Sequence, residues 1–282
     1  MNRRLSLRSL LGNISALTGS ILLAGFLIVA LFAPQIASHD PTQQNLLGRL
    51  APPVWAGGST EHLLGTDQLG RDLFSRLVYG SRIALIVGFG GVLLATVIGT
   101  VVGILSGYLR GWFDSVMMRV TDAIVAIPNL ILYLTVLGVF SPSVLLLIVV
   151  IGAVNWTTVA RVVRAEVMSV KEREYVEASR AIGRRVRGIL PIHVLPNVAS
   201  SILVMAVMNI AGVIVLEAGL SYLGFGVQAP TVTWGRMLSD GRSYIATAWW
   251  LATFPGLAIT LLTLSFLLLG DWLRDALDPK SR

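Results

Sequence analysis

The sequence contains no cysteine and few charged residues. Without cysteine the chain has no disulfide framework, no thiolate metal site and no redox switch. Charged residues make up 13% of the chain, about half the share that is usual in a soluble domain, whereas 55% of the residues are hydrophobic. The mean hydropathy is correspondingly high, at +0.77. So much apolar surface has to face lipid or other apolar helices, so the composition predicts an integral membrane protein.

The sequence also lacks the groups with which a chain could drive transport by itself. It has no G-x-x-x-x-G-K-[ST] phosphate loop, because neither of its lysines, Lys171 and Lys280, follows a glycine. The apolar stretches, the fifth of which ends at Leu216, contain no Asp, Glu, Lys or Arg, and the histidines, His39, His62 and His193, lie in predicted loops. Proton-coupled carriers usually keep such a group within the membrane. We therefore predict no catalytic residue, no cofactor bound by this chain and no enzymatic activity.

Six apolar stretches are long enough to cross a bilayer, which takes roughly 17–25 residues. We predict spans at 17–37, 83–108, 123–140, 144–160, 197–217 and 249–270. Around them lie a surface helix at 1–16, loops at 38–82, 161–196 and 218–248, and a tail at 271–282. The alternatives are four or five spans with a buried helix, and a frayed basic tail in place of the surface helix. Pro128 and Pro255 fall inside the third and last spans and predict kinks.

The basic residues are distributed unevenly between the loops. With both termini in the cytoplasm, 16 of the 22 Lys and Arg residues lie on the cytoplasmic side and six on the external side. This asymmetry follows the positive-inside rule, under which cytoplasmic loops carry the excess of Lys and Arg. The loops at 38–82 and 218–248 are then external, and the loop at 161–196 is cytoplasmic. The net charge of +7 therefore indicates orientation beside membrane lipid, and we expect no nucleic-acid partner.

A stripe of small residues recurs at every fourth position of the second span, at Gly91, Ala95, Gly99, Gly103 and Gly107. Helices in lipid gain little from hydrophobic association, so close backbone approach contributes much of their packing. The stripe predicts a tightly packed neighbouring helix. The alternative is that these small residues line a narrow transport path.

The cytoplasmic loop at 161–196 contains a segment with the features of a docking site. A short helix is predicted from Glu174, and Gly183 can end it in a left-handed conformation. One weakly apolar face is predicted at helical spacing, from Tyr175, Ser179, Ile182, Val186 and Ile189. Pro191 and Pro196 are expected to stop the chain before the fifth span. The segment is therefore predicted as a short helix, a turn and a second short helix on the membrane surface.

The spacing within this segment matches a known motif. The run Glu177–Ser179 is followed by Gly183 and then by Leu195-Pro196, with serine in place of a second alanine and His193 where isoleucine is common. The segment resembles the Glu-Ala-Ala loop of permease subunits of bacterial ABC importers. The stretch 193–197, with residues 62–72, 111–114 and 217–224, is similar to the dipeptide, oligopeptide and nickel branch. The long first external loop resembles that of the C-type permease of the pair.

This resemblance carries expectations for the fold, the site and the partners. It implies an all-α type I ABC importer permease fold with six transmembrane helices and a cytoplasmic coupling helix, with a permease core at 81–270, in the bacterial inner membrane. The implied ATPase-coupling residues are Glu174, Tyr175, Glu177, Ala178, Ser179, Arg180 and Gly183, and the implied loop-exit residues are His193, Leu195, Pro196 and Asn197. The implied partners are a second, B-type permease, two ATPase subunits that hold ATP and Mg²⁺, and an extracytoplasmic solute-binding protein.

The resemblance also implies a function, which is the import of di- or oligopeptides by alternating access. Nickel chelates, glutathione, opines or sugars are the alternative cargoes, because delivery specificity lies largely in the binding protein. An ATP-independent channel or secondary carrier is the alternative from another class. No substrate-binding residue is predicted, since the pore lining depends on how the helices pack.

The segment from His62 to Asp72 allows two interpretations. Its carboxylates lie near glycines and close to His62, and hard cations prefer oxygen ligands of this kind. The alternative is a structural role, with turns, helix caps by Thr66 or Asp67, and an Asp–Arg ion pair. We favour the structural interpretation and predict no metal site.

Overall fold

The computed structural model describes residues 12–277, and this part of the chain is built almost entirely from helices. Within it, the extended pairing amounts to an isolated bridge between Thr66 and Asp72. The helices are α1 Ile14–Leu31, α2 Ala33–Ile36, α3 Leu73–Leu109, α4 Gly111–Val125, α5 Asn129–Val139, α6 Val144–Lys171, α7 Glu174–Ala181, α8 Val186–Ile189, α9 Leu195–Tyr222, α10 Trp234–Gly241 and α11 Trp250–Leu277. The predicted all-α class is confirmed.

Several of these helices are long and apolar enough to cross a membrane. Five qualify singly: α1, α3, α6, the continuous stretch Val186–Tyr222 that contains α9, and α11. The pair α4 and α5 qualifies only when its two helices are taken together as one bent span, which brings the number to six. The chain is therefore a multi-pass membrane protein.

The third predicted span differs most from its prediction. The sequence predicted one kinked span at 123–140, whereas the structure has two helices, α4 and α5, bent by 82° at a short break. Pro128 stands at the N-cap of α5 with an extended ψ of 123°. Proline has no backbone N–H, and it disfavours helical geometry in the residue before it, so α4 ends at Val125 instead of continuing.

The long helices extend beyond the predicted spans. Helix α3 has 37 residues, about 55 Å, and so is longer than the roughly 30 Å hydrocarbon layer. It begins ten residues before position 83 because Asp72 Oδ2 accepts the backbone N–H of Ser75 at 2.8 Å as its N-cap. Helix α6 continues to Lys171 through part of the predicted loop, and α11 continues through Pro255 to Leu277. Apolar runs mark lipid-facing segments, whereas helix ends depend on caps.

The small-residue stripe lies against α6, as the packing interpretation predicts. A Cβ at Gly99 would be 2.7 Å from the carbonyl oxygen of Trp156, and a Cβ at Gly103 would be 2.8 Å from that of Ala160. At Gly107 the corresponding distance, to the carbonyl oxygen of Arg164, is 2.7 Å. Because only glycine allows so close an approach, α3 and α6 form a tightly packed pair along most of their length.

Two proline positions behave differently from their prediction. Pro191 and Pro196 were expected to stop the chain before the fifth span, but the structure continues from α8 through a π-helical turn, Leu190–Val194, directly into α9. The wider π turn accommodates Pro191, and Pro196 follows directly after it, as the second residue of α9. The predicted stop is therefore wrong.

Glu217 also lies elsewhere than expected. The sequence placed it just beyond the apolar stretch that ends at Leu216, at the last position of the predicted fifth span. In the structure it lies inside α9, is 1% exposed and accepts a hydrogen bond from Ser221 Oγ at 2.7 Å. The predicted surface helix at 1–16 falls mainly on residues outside the described range, and its last residues, from Ile14, begin α1. The end of the predicted tail, 278–282, is also outside the described range.

Candidate functional site

Helix α7 contains most of the predicted coupling residues, and its end is closed as the sequence predicts. Gly183 has a φ of +79°, and its N–H donates to the carbonyl of Arg180 at 2.9 Å. The N–H of Arg184 donates to the carbonyl of Ser179 at 3.2 Å. These paired bonds form a Schellman motif, in which a left-handed residue satisfies the last carbonyls of a helix. The predicted helix-ending role of Gly183 is confirmed.

A small hydrophobic cluster holds α7 against the ends of the long helices. Val176, in the middle of α7, is fully buried, and Ser179 is 7% exposed. The other buried members of this cluster are Tyr108, Val159, Val163, Val167, Val170, Ile189, Val194 and Val198. The cluster draws on α3, α6, α8 and α9, so a displacement of α7 would disturb the packing of all four helices.

Polar contacts connect α7 to the predicted loop-exit residues. Ser179 Oγ lies 3.3 Å from Nε2 of His193. Arg173, which precedes α7, donates to Oδ1 of Asn197 at 3.3 Å, and Asn197 Nδ2 donates to the carbonyl of His193 at 2.6 Å. The structure therefore brings together two groups of predicted residues that are separated in sequence. Leu195 and Pro196 lie beside them, on the exposed side of α9.

Tyr108, at the end of α3, is a contact residue that the sequence interpretation missed. Lys171 Nζ donates to its carbonyl at 2.6 Å and lies 5.2 Å from the centre of its ring. The guanidinium carbon of Arg180 lies 5.6 Å from the same ring, and Arg180 Nη2 donates to the phenol oxygen at 3.4 Å. Two cations close to one aromatic ring provide cation–π attraction. The sequence feature that could have identified Tyr108 is its position, because it directly follows the last glycine of the stripe.

The outward side of α7 carries the remaining predicted coupling residues. Glu174, Glu177 and Ala178 are exposed, and Tyr175 is 40% exposed. The predicted apolar face is partly wrong, because Tyr175, Ile182 and Val186 point away from the cluster while Val176 points into it. Because Val176 and Ser179 are its buried residues, α7 turns the other side of the helix outward. It thereby presents carboxylates, a tyrosine and a small alanine at the surface.

Ion pairs hold α4 to α6 at the same end of the bundle. Asp114 accepts two hydrogen bonds from Arg164, at 2.5 and 2.7 Å, in a bidentate arrangement. Asp122 accepts from Arg161 at 2.6 Å. The Arg164–Asp114 pair is the stronger of the two, because the planar guanidinium matches the two oxygens of the carboxylate. The side chains of this pair are also less exposed than those of Arg161 and Asp122. The stretch 111–114, noted in the sequence as a family feature, is thus tied directly to α6.

A cavity of about 300 Å³, with a mainly apolar lining and a few polar side chains, lies among α3, α5, α6 and α9. Its polar lining comes from Asn129, Tyr133, Asn155, Thr158 and Asn209. The Tyr133 hydroxyl donates to Oδ1 of Asn155 at 2.8 Å. Amide side chains both donate and accept hydrogen bonds, so these residues can pair with a solute that does both. The sequence signal that was overlooked is a set of asparagines within apolar helices.

The segment 62–72, at the opposite end of α3, forms the turn and the ion pair that the structural interpretation predicts. Asp67 accepts from the backbone N–H groups of Leu69 and Arg71 at 2.8 and 3.0 Å, and from Arg71 Nε at 2.6 Å. The predicted turn and Asp–Arg pair are confirmed. The predicted caps are wrong, because Asp72 caps the helix while Thr66 donates to the carbonyl of Gly48 at 2.5 Å.

Known proteins resemble this chain over nearly its whole length. The family model for the binding-protein-dependent transport system inner membrane component matches residues 99–282, which is more than half of the chain. The chain belongs to this family. A second model, the N-terminal transmembrane domain of oligopeptide transport permease C, matches residues 3–53. The family resemblance drawn from the sequence is confirmed.

The curated relatives of this family member are themselves named as peptide transport permeases. The dipeptide transport system permease protein of Haemophilus influenzae is 42% identical over 95% of this chain and 91% of the relative. The corresponding Escherichia coli K12 protein is 43% identical over 95% and 90%. The oligopeptide transport system permease protein of Bacillus subtilis is 37% identical over 95% and 86%.

Proposed function

We propose that this chain is the C-type permease subunit of an ATP-driven importer that takes up di- or oligopeptides through a bacterial inner membrane. The observation that carries the proposal is the family match across 99–282, which includes α7 and every residue that holds it. The relatives named as dipeptide and oligopeptide permeases favour peptides as cargo. In this arrangement both termini and α7 face the cytoplasm, and the long loop before α3 faces outside.

Two ATPase subunits would supply the energy, and α7 would be the helix that docks on one of them. Support comes from its exposed carboxylates, Glu174 and Glu177, and from the small Ala178, which allows close approach of another surface. Support also comes from its inner side, where Val176 and Ser179 contact the ends of the long helices. A movement imposed on α7 would therefore reach α3, α6 and α9 through packed side chains.

The remaining partners follow from the same assignment. A second, B-type permease would complete the pore beside this one, and a solute-binding protein would deliver peptide from outside. ATP and Mg²⁺ would be bound by the ATPase subunits. Closure of those subunits would switch the pore from inward-open to outward-open, which is alternating access between two conformations.

The asparagines of the cavity support a peptide cargo by their chemistry. A peptide bond carries one N–H donor and one C=O acceptor, and the amides of Asn155 and Asn209 can pair with both.

A reconstituted importer tests the coupling role. The substitution Ala178→Trp places a bulky group on the exposed side of α7, and we expect it to abolish ATP-dependent peptide uptake while the chain still inserts into the membrane. Ser115→Trp is the matched control, because Ser115 is exposed on α4 at the same end of the bundle but lies off α7. Normal uptake by Ala178→Trp would contradict the docking role.

The cargo needs a separate measurement. Proteoliposomes that contain the whole importer should accumulate a labelled dipeptide or oligopeptide when ATP is present inside. Accumulation of a nickel chelate, glutathione, an opine or a sugar in place of peptide would contradict the proposed substrate but keep the importer class. Equal uptake by this chain alone, without ATP, would instead indicate a channel or carrier.

A further inference from the structure

Three separate parts of the chain meet at the start of α3. His39 follows α2, His62 lies in the long loop, and Asp72 is the N-cap of α3. The backbone N–H of His39 donates to Ser75 Oγ at 3.0 Å, which fixes this part of the loop to the first turn of α3. Their ligand-type atoms, one from each residue, all lie within 4.8 Å of one another.

The distances within this cluster are close to those of a metal site. Asp72 Oδ1 lies 2.9 Å from His62 Nδ1, and Asp72 Oδ2 lies 3.9 Å from His39 Nδ1. A tetrahedral Zn²⁺ with bonds of about 2.0–2.2 Å holds its ligand atoms roughly 3.3–3.5 Å apart. The two observed distances lie on either side of that value and end on different oxygens of Asp72. Side-chain rotations that bring one of these oxygens within reach of both imidazoles would place the three groups around one ion.

Hydrogen bonds hold His62 and the residues before α3 close to Asp72. The ring nitrogen of His62 is within bonding distance of the carboxylate, and Ser38 Oγ and the N–H of His39 bond to Asp72 and Ser75. The His39 imidazole itself makes no hydrogen bond to the carboxylate, since 3.9 Å is too long and its Nδ1 contacts Ser38 Oγ at 3.2 Å. The two imidazole rings lie with their centres 4.8 Å apart.

The surroundings of Asp72 resemble those of a metal-binding carboxylate. Its side chain is 1% exposed, so an ionised form needs compensating contacts. Oδ2 accepts from the backbone N–H of Ser75 at 2.8 Å and from Ser38 Oγ at 3.3 Å, which orients the carboxylate. Such outer contacts on a ligand are typical of metal sites. Two imidazoles and one carboxylate form a donor set that suits Zn²⁺.

We propose that His39, His62 and Asp72 bind one divalent cation of the Zn²⁺ class, with water at the fourth position. The ion joins the two loop segments to the start of α3 and so stabilises the long loop on that end of the bundle. This inference does not depend on the proposed transport function.

Zinc binding by the purified full-length chain tests the proposal. After treatment with a chelator, the chain in detergent is dialysed against ZnCl₂, and Co²⁺ is added in a parallel sample as a spectroscopic probe. We expect one Zn²⁺ per chain and the visible absorption of tetrahedral Co²⁺. His62→Ala and Asp72→Asn should each weaken zinc binding by about tenfold or more. Asparagine is also a good N-cap, so Asp72→Asn keeps the helix start while it removes the charged ligand.

The third histidine provides a matched control. His193 lies beside α7, at the opposite end of α3, so His193→Ala should bind zinc as the unmodified chain does. Zn²⁺ should also raise the melting temperature of the unmodified chain but not that of Asp72→Asn, because only a bound ion stabilises the folded state. Failure of the unmodified chain to take up zinc, or equal uptake by Asp72→Asn, would overturn the proposal.

Discussion

Replacement of Gly183 offers a quantitative test of how firmly α7 is held at its end. At φ +79° an alanine would adopt a left-handed conformation that costs about 1–2 kcal/mol. No described atom lies within 4 Å of a Cβ built at this position, so the backbone conformation is the main contribution to that cost. A change of about 1–2 kcal/mol alters a local opening equilibrium by roughly 5–30-fold. We therefore expect Gly183→Ala to loosen the end of α7 without unfolding the bundle.

Hydrogen exchange measured by mass spectrometry on the chain in nanodiscs checks this expectation. Amides near the end of α7, including those of Gly183 and Arg184, should exchange roughly 5–30-fold faster in Gly183→Ala, while amides within α3 and α6 keep their protection. Gly183→Asn is the control, because asparagine tolerates the left-handed conformation better and should give a smaller effect. Unchanged exchange in Gly183→Ala, or equal effects of alanine and asparagine, would refute the reasoning.

Three further substitutions test packing, α7 contacts and the cavity. Gly103→Ala should lower the melting temperature of the chain, since the added Cβ would be 2.8 Å from the carbonyl oxygen of Ala160. Gly25→Ala is the control: its Cβ meets no described atom within 4 Å, so the melting temperature should stay unchanged or rise slightly. Tyr108→Ala removes a buried ring and should destabilise the chain by about 3–5 kcal/mol in denaturant unfolding, and Tyr108→Phe by far less. Asn155→Leu should reduce peptide uptake by the assembled importer while its ATPase subunits still bind.

The helical class and the coupling segment were predictable because they depend on local pattern. Apolar runs report lipid contact directly, and the stripe of glycines that ends at Gly107 reports a close helix neighbour. The Glu-Ala-Ala spacing, with Gly183 after it, predicted both a helix and its end. Each of these signals is contained within a short window of sequence.

Other features could not be predicted because they depend on contacts between distant segments. At Pro128 the chain bends by 82°, whereas at Pro191 it continues through a π-helical turn, so the presence of a proline alone does not decide the outcome. The burial of Val176 in place of Tyr175 depends on the position of Tyr108, far away in the chain. The asparagines of the cavity lie on α5, α6 and α9, so they come together only when these three helices are packed.

The tight pairing of α3 with α6 determines how a displacement of α7 would spread. Glycines along α3 place its backbone against that of α6, so the two helices have little freedom to slide separately. Tyr108 links α7 to one end of α3, and at the other end Trp234 of α10 donates its indole N–H to the carbonyl of Leu77 at 2.9 Å. The cavity lies between this pair and α9. Because α9 is continuous with the segment that contacts α7, we expect a tilt of α7 to act on both walls of the cavity and to change its width.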